Sequence, residues 1–371
     1  MKRLLSFLII SVTFFYVQGL RQVLRTSPLS SSTRMRPLWN VNLDQRLFAS
    51  IEDSSHSVSS TELKSDVPRK GLRNIQKRWM TGCMLGLIAT LWIFSGNGIF
   101  ATGFLITTII SQLEYYEMLK ATGVTPATKM GILSSMLCYL TAAFIPAYHE
   151  ACLPIMTVAL MTWLLLFKET TSSIAEISGT FLGTFYLGYL PSFWVRLRGL
   201  GKMSKFMFPQ FLQSLKWVQA DTWTHGAVIT WWTWTSIVFA DVGAYFIGKT
   251  FGKTKLGEIS SAAGAASPKK TVEGAIGGFV ACTTLMTTGA YYMNWPNWRL
   301  TGIIYGFLLS FIALIGDLMA SMMKRDAKIK DSGTILPGHG GLLDRIDSYM
   351  LTAPIAYLFI KVILGANKPI R

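Results

Sequence analysis

Asp317 closes an otherwise uncharged run, GIIYGFLLSFIALIGD (302–317), and Asp344 and Asp347 lie together in GLLDRID (341–347). A carboxylate that deep in an apolar segment is costly to bury, which marks Asp317 as functional by default. At helical spacing Asp344 and Asp347 point the same way, while Arg345 turns elsewhere. If the helix of Asp317 continues, Asp317, Ser321 and Lys324 share one stripe. The three carboxylates make an oxygen-rich site for a hard cation, Mg2+ before any soft metal, with room for a monovalent cation beside it. The intervening KRDAKIKDSGTILPGHGG (324–341) supplies the opposite charge. Lys324, Arg325 and Lys330 can neutralise phosphate, and Gly340 and Gly341 let backbone N–H groups approach an anion closely. His339, flanked by glycines, suits a phosphate or a base better than a metal.

A second loaded stretch spans 241–278, DVGAYFIGKTFGKTKLGEISSAAGAASPKKTVEGAIGG. Asp241 is another acid within an apolar run, with Tyr245 one turn on. Lys249, Lys253, Lys255, Lys269 and Lys270 make a dense basic loop, with Ser267 and Thr271 as hydroxyl donors. Without GxxxxGK[ST], this is a phosphate site other than a P-loop. Glu114 and Glu117 in SQLEYYEMLK read equally well as helix-end charges or as functional acids. His149 and His225 lie at the ends of apolar runs and need no role.

The elements that must position these groups are membrane helices. The chain has 371 residues, 51% hydrophobic and only 15% charged, with a mean hydropathy of +0.39. Soluble domains carry about 25% charged residues, so the composition predicts an all-α, polytopic membrane protein. Apolar runs near 79–95, 98–113, 130–147, 151–167, 176–194, 226–247, 274–293, 301–323 and 349–365 predict about nine transmembrane helices. That count puts the loops at 248–273 and 324–348 on one face, where they can meet. It also puts the basic VRLRGLGKMSK (195–205) on the other face, against the positive-inside tendency. The net charge of +16 points to anionic headgroups and phosphorylated substrates; no nucleic-acid-binding module is legible. Cys83, Cys138, Cys152 and Cys282 lie in apolar runs without metal or disulfide spacing and read as small buried hydrophobes.

Residues 1–19 have the basic start and short apolar run of a signal peptide. Residues 20–78 continue as an Arg- and Ser-rich stretch with no acid before Asp44, the composition of a transit peptide, followed by polar sequence expected to be disordered. A signal followed by a transit-like stretch resembles the leaders of proteins sent to plastids bounded by extra membranes. A plain secretory signal or first anchor, with residence in the endoplasmic reticulum or another endomembrane, is the alternative. Amino-terminal membrane helices then occupy 79–225 and a carboxy-terminal catalytic membrane domain 226–371.

SMMKRDAKIKDSGTILPGHGGLLDRID (321–347) resembles the signature of the phosphatidate cytidylyltransferase, or CDP-diacylglycerol synthase, family: Ser-x-apolar-Lys-Arg, then Lys-Asp-x-Gly, Pro-x-His-Gly-Gly and Asp-Arg-apolar-Asp. SPKKTVEGAIGG and DVGAYFIGKTFGK are similar to the family too, and the likeness extends over about 75–365, with LDRIDSYMLTAPIAY closer to the bacterial and plastid branch. The resemblance implies that CTP and phosphatidate react to give CDP-diacylglycerol and pyrophosphate, by attack of a phosphatidate oxygen on the α-phosphorus of CTP. It implies metal binding by Asp317, Asp344 and Asp347, phosphate contacts from Lys324, Arg325, Lys330 and Arg345, and nucleotide contacts from Ser267, Lys269 and Lys270. Asp331 would add a ligand or orient Lys330. The small-residue run 260–267 is expected to lengthen or loosen the nucleotide loop. By analogy such membrane enzymes pair into homodimers. A CTP-dependent lipid or polyprenol kinase and a transporter of phosphorylated solutes are the rival readings. The complete signature argues against the first, and the concentration of acids in the carboxy-terminal part against the second.

Overall fold

The computed structural model describes residues 86–168, 171–201, 223–333 and 341–363, with Met84 and Gly365 besides. Met1–Ala89 and Thr90–Arg371 are separate units, and the candidate functional residues that are described all belong to the second. The signal and transit-like leader lies outside the described residues, as do Cys83, His339 and Gly340.

The described residues are helical without a strand, as the composition predicts. The helices are α1 (Asn97–Ala121), α2 (Thr128–Phe144), α3 (His149–Leu166), α4 (Ile174–Leu182), α5 (Leu190–Arg198), α6 (His225–Phe251), α7 (Leu256–Ile259), α8 (Ser261–Ala266), α9 (Val272–Tyr292), α10 (Trp298–Asp326) and α11 (Leu343–Leu358). The predicted runs 98–113, 226–247 and 301–323 each fall inside one helix, and 130–147, 151–167 and 274–293 run one to three residues past the ends of α2, α3 and α9. The run 176–194 is divided between α4, a π-helical segment and α5, and 349–365 continues from α11 into a second π-helical segment, Phe359–Ile363. Two described helices, α3 and α10, combine the length and hydropathy of a membrane span.

Local chemistry sets several boundaries. Ser173 and Glu176 form a capping box at the start of α4. The Thr224 hydroxyl accepts from the Ala227 N–H at the start of α6, and that of Thr271 from the Gly274 N–H at the start of α9; each satisfies a donor the first turn leaves orphaned. Between α4 and α5 the chain continues as a π-helical turn, Gly183–Tyr189. A Cβ on Gly183 would stand 2.6 Å from the ring of Tyr116, so the glycine lets α1 lie directly against this turn.

The carboxy-terminal helices pack in the order α6, α9, α10, α11, with α5 against α11. Their seams are built from small residues, the means by which apolar helices come close without a hydrophobic driving force from lipid. Cβ atoms on Gly274 and Gly278 of α9 would lie 2.9 and 2.8 Å from the carbonyl oxygens of Ala244 and Ala240 of α6. On the other side Trp92, Phe100, Phe104, Trp194, Trp234 and Tyr349 form one aromatic cluster. The Trp194 indole N–H donates to the Tyr349 carbonyl at 3.0 Å, tying α5 to α11.

The basic segment at 195–205 does not present free charge where it is described. Arg196 is buried against the rings of Phe193 and Tyr357, beside His149, and pairs with Glu150 at 3.2 Å. Arg198 is fully buried and donates to the Ile93 carbonyl. Cations consumed in packing carry no vote in the positive-inside tendency, which counts loop charges near the membrane surface.

Candidate active site

A cavity of about 520 Å³ opens between α6, α9 and α10. Its walls are apolar and small: Ala240, Ala244, Gly274, Gly278, Phe279, Ala313 and Leu314. Among them the lining is polar and charged, with Asp241, Lys249, Lys269, Lys270, Thr271 and Asp317. Most of the lining that α6 and α9 contribute is glycine and alanine, which leaves the space open beside the larger Tyr245 and Phe279.

Asp317 is the hub of the charged lining. Its Oδ2 takes the Lys270 ammonium at 2.6 Å, and Ser321, one turn on, reaches its Oδ1 at 3.4 Å. Gly316, its neighbour, allows α10 and α11 to touch, since a Cβ there would meet the Asp347 carbonyl oxygen at 2.6 Å. That contact sets Asp347 beside Asp317. Asp347 is buried and accepts from the Ser348 N–H at 2.7 Å. Asp241 and Asp347 both lie within electrostatic range of Asp317, so three carboxylates converge where one ammonium is at bonding distance.

The second cluster lies at the start of α11. Lys324 turns away from Asp317 and pairs with Asp344 Oδ1 at 2.5 Å. Asp344 Oδ2 accepts from the backbone and hydroxyl of Ser332 and from the Gly341 N–H. Burial would push Asp344 up, but Lys324 and these donors outweigh it and hold its carboxyl below the usual aspartate value. A depressed carboxylate adds stability above the ordinary value that is lost only as pH falls through the lower one, so this lock stays closed throughout the neutral range. Glu114 of α1 reaches the same place. Its Oε1 accepts from Leu342 N–H, and its Oε2 from Leu343 N–H and the Ser332 hydroxyl.

The remaining residues divide plainly. Lys269 lines the cavity with Lys270. Ser267 is the carboxy-terminal cap of α8, its N–H given to Ala263, and it does not line the cavity. Gly341 turns its N–H to Asp344 rather than outward. Arg325, Lys330, Asp331 and Arg345 are exposed around the cluster. The run 260–267 is not loose. α7 and α8 fold back to back, a Cβ on Gly257 standing 3.0 Å from the Gly264 Cα. Leu256 donates to the Lys270 carbonyl and Val272 to that of Thr254. The carboxylate of Glu273 takes the N–H groups of Lys253 and Thr254, closing the base of the hairpin and delivering Lys269 and Lys270 to the cavity.

Glu114 is the residue that the sequence left undecided. Its signal was periodicity: Phe100, Phe104, Thr108, Ser111, Tyr115 and Met118 form the buried stripe of α1, and Glu114 sits on its flank, buried with them. Glu117 faces outward and pairs with Lys120. As for a metal, no three acidic, histidine or cysteine side chains among the described residues already stand in ligating geometry. The donors are nevertheless of the type a hard cation takes: carboxylate oxygens, with Asp241 and Asp347 in electrostatic range of Asp317 and one ammonium bonded to it.

A helical chain that gathers carboxylates and lysines in the lining of an otherwise apolar cavity has the construction of a protein handling phosphorylated amphiphiles. Residues 76–363 match the cytidylyltransferase family, and the chain belongs to it. It is 40% identical over 273 residues to a phosphatidate cytidylyltransferase of Synechocystis, covering 72% of this chain and 90% of that protein. It is 34% identical to the chloroplastic phosphatidate cytidylyltransferase 4 of Arabidopsis thaliana over 84% of this chain and 79% of the plant protein. A Bacillus subtilis phosphatidate cytidylyltransferase is 28% identical over 77% of this chain and 98% of its own length.

Proposed function

We infer that this protein is a phosphatidate cytidylyltransferase: it joins CTP and phosphatidate into CDP-diacylglycerol and releases pyrophosphate. The observation that carries the reading is the mixed lining of the cavity, charged at Asp241, Asp317, Lys269 and Lys270 and apolar at Ala240, Ala244, Phe279 and Leu314, which suits a substrate with both a phosphate head and acyl tails. A phosphatidate oxygen forms a bond to the α-phosphorus of CTP as the bond to pyrophosphate breaks. The attacking phosphate is anionic near neutral pH, with a second pKa of about 6, so no general base is needed. Catalysis then rests on alignment and charge neutralisation. Lys269 and Lys270 hold phosphate oxygens, and Lys249 in the same lining adds to their field. The apolar walls keep the acyl chains in place and limit water, which would otherwise hydrolyse CTP.

Mg2+ would be held by Asp317 and Asp347, with Asp344 adding an oxygen where phosphate draws Lys324 away; bound there, it would neutralise charge between the entering and leaving oxygens. The test is direct. Purified protein given CTP labelled on its α-phosphate, phosphatidate and Mg2+ should place the label in lipid and release unlabelled pyrophosphate. Label recovered only as free CDP would mean γ-phosphoryl transfer, and no turnover with tight binding of phosphorylated solutes would mean transport.

The nine-span topology and a plastid membrane complete the reading. The transit-like composition of residues 20–78 and the similarity to chloroplastic plant proteins support it. A fusion of residues 1–78 to a fluorescent protein is expected to enter plastids. Retention of the fusion in the endoplasmic reticulum would replace this location with the endomembrane one.

A further inference from the structure

We propose that Glu114 is the positioning residue that sets the signature helix α11 in place for the reaction. The inference rests on the cytidylyltransferase reading of the site.

α11 carries Asp344 and Asp347, yet it begins without a cap of its own: Leu342 stands at the cap position, and no side chain there takes a first-turn N–H. Glu114 supplies that function from 228 residues upstream, accepting from Leu342 N–H and Leu343 N–H at 2.9 Å each. A carboxylate at a helix amino terminus meets both unsatisfied donors and the positive end of the helix dipole. Its third bond, from the Ser332 hydroxyl at 3.0 Å, ties down the chain on the far side of residues 334–340. Cβ atoms on Gly333 and Gly341 would each crowd this carboxylate, so both glycines are required for its approach. One buried carboxylate therefore holds both ends of the stretch that contains the Pro-x-His-Gly-Gly motif, and also fixes the first turn of the helix bearing two of the site's aspartates.

The chemistry favours a positioning role. Glu114 is 6% exposed, and it forms no ion pair among the described residues. Burying a carboxylate without a cation is expensive unless several donors are fixed on it, as they are here. It does not line the cavity, so it acts through α11. The side chain is also irreplaceable by its own amide. Both carboxylate oxygens accept from backbone N–H, so glutamine in either orientation turns its NH2 against one of them. Aspartate keeps the acceptors and loses one methylene of reach.

The experiment compares wild type, Glu114→Gln, Glu114→Asp and the exposed control Glu117→Gln in detergent. Initial rates with CTP and phosphatidate are measured alongside thermal unfolding and Mg2+ titration. Glu114→Gln is expected to lower kcat by about 30- to 100-fold, the scale of a displacement of about 1 Å. Both KM values should stay within about threefold and the protein folded at the assay temperature, because binding contacts remain. The Mg2+ requirement should rise, because Asp347 is displaced. Glu114→Asp should recover part of the rate, and Glu117→Gln all of it. Should Glu114→Gln fail to fold, Gly333→Ala, whose Cβ would stand 2.5 Å from Glu114 Oε1 and which removes no donor from Asp344, is expected to lower kcat several-fold in the same pattern. An unchanged kcat, a loss explained by the unfolded fraction, or a loss confined to KM would each overturn the proposal. A wild-type protein without turnover would instead overturn the cytidylyltransferase reading and leave the geometry of Glu114 untouched.

Discussion

Asp317→Asn is expected to cost cytidylyl transfer on the order of a thousandfold in kcat, the upper range for losing one preorganised charge in a transition state. The substitution keeps the shape of the side chain and removes one charge from the place where Asp241, Asp317 and Asp347 converge. Fold stability should change little. The Lys270–Asp317 pair is partly exposed on both sides, 26% and 31%, and such pairs contribute at most about 1 kcal/mol. The KM for CTP gives the sharper diagnosis. In the wild type Lys270 is shared between Asp317 and any incoming phosphate; in the variant it is released. KM should therefore stay level or fall while kcat collapses. A KM that rises with kcat unchanged would mean that Asp317 serves nucleotide binding alone. A rate within tenfold of wild type would remove the carboxylate cluster from the reaction altogether.

The helical architecture was legible because apolar runs of membrane length survive any arrangement of their neighbours. The aspartates of the candidate site were legible because Asp344 and Asp347 are one turn apart and Asp317 stands out in an uncharged run. The pairing of charges was not. Whether Lys324 answers Asp317, seven residues before it, or Asp344, twenty after, depends on how α10 and α11 cross, and that crossing is decided by Gly316, a residue with no charge to notice. Lys270 takes the partner that Lys324 leaves. Ser267 precedes the lysines in sequence, but it ends α8 through its backbone N–H and lies outside the lining of the cavity. Arg196 and Arg198 looked like loop charge and are packing instead. Glu114 is the extreme case, since its partners lie 218 to 229 residues away. Only its place beside the buried stripe of α1 distinguished it from Glu117.

Gly316→Ala should reduce kcat by about a hundredfold, with little change in substrate binding. The added Cβ would stand 2.6 Å from the Asp347 carbonyl oxygen, a backbone atom that cannot rotate aside. α10 and α11 must then separate by close to an ångström, which moves Asp317 relative to Asp347, and misplacement of that size costs about 10²-fold. Overpacking also costs about 1–3 kcal/mol of stability, so a fall in activity alone would prove little. Gly302→Ala supplies the comparison. Its Cβ would lie 2.6 Å from the Thr287 Cα, a similar clash on the same helix, but fourteen residues away or about 21 Å along the axis. The two variants should lose similar melting temperature, and Gly302→Ala should keep its rate per folded molecule. If both lose the same fraction of rate, helix packing matters to this protein only as stability. If Gly316→Ala alone fails, the small residue next to Asp317 is there to hold two carboxylates at reacting distance.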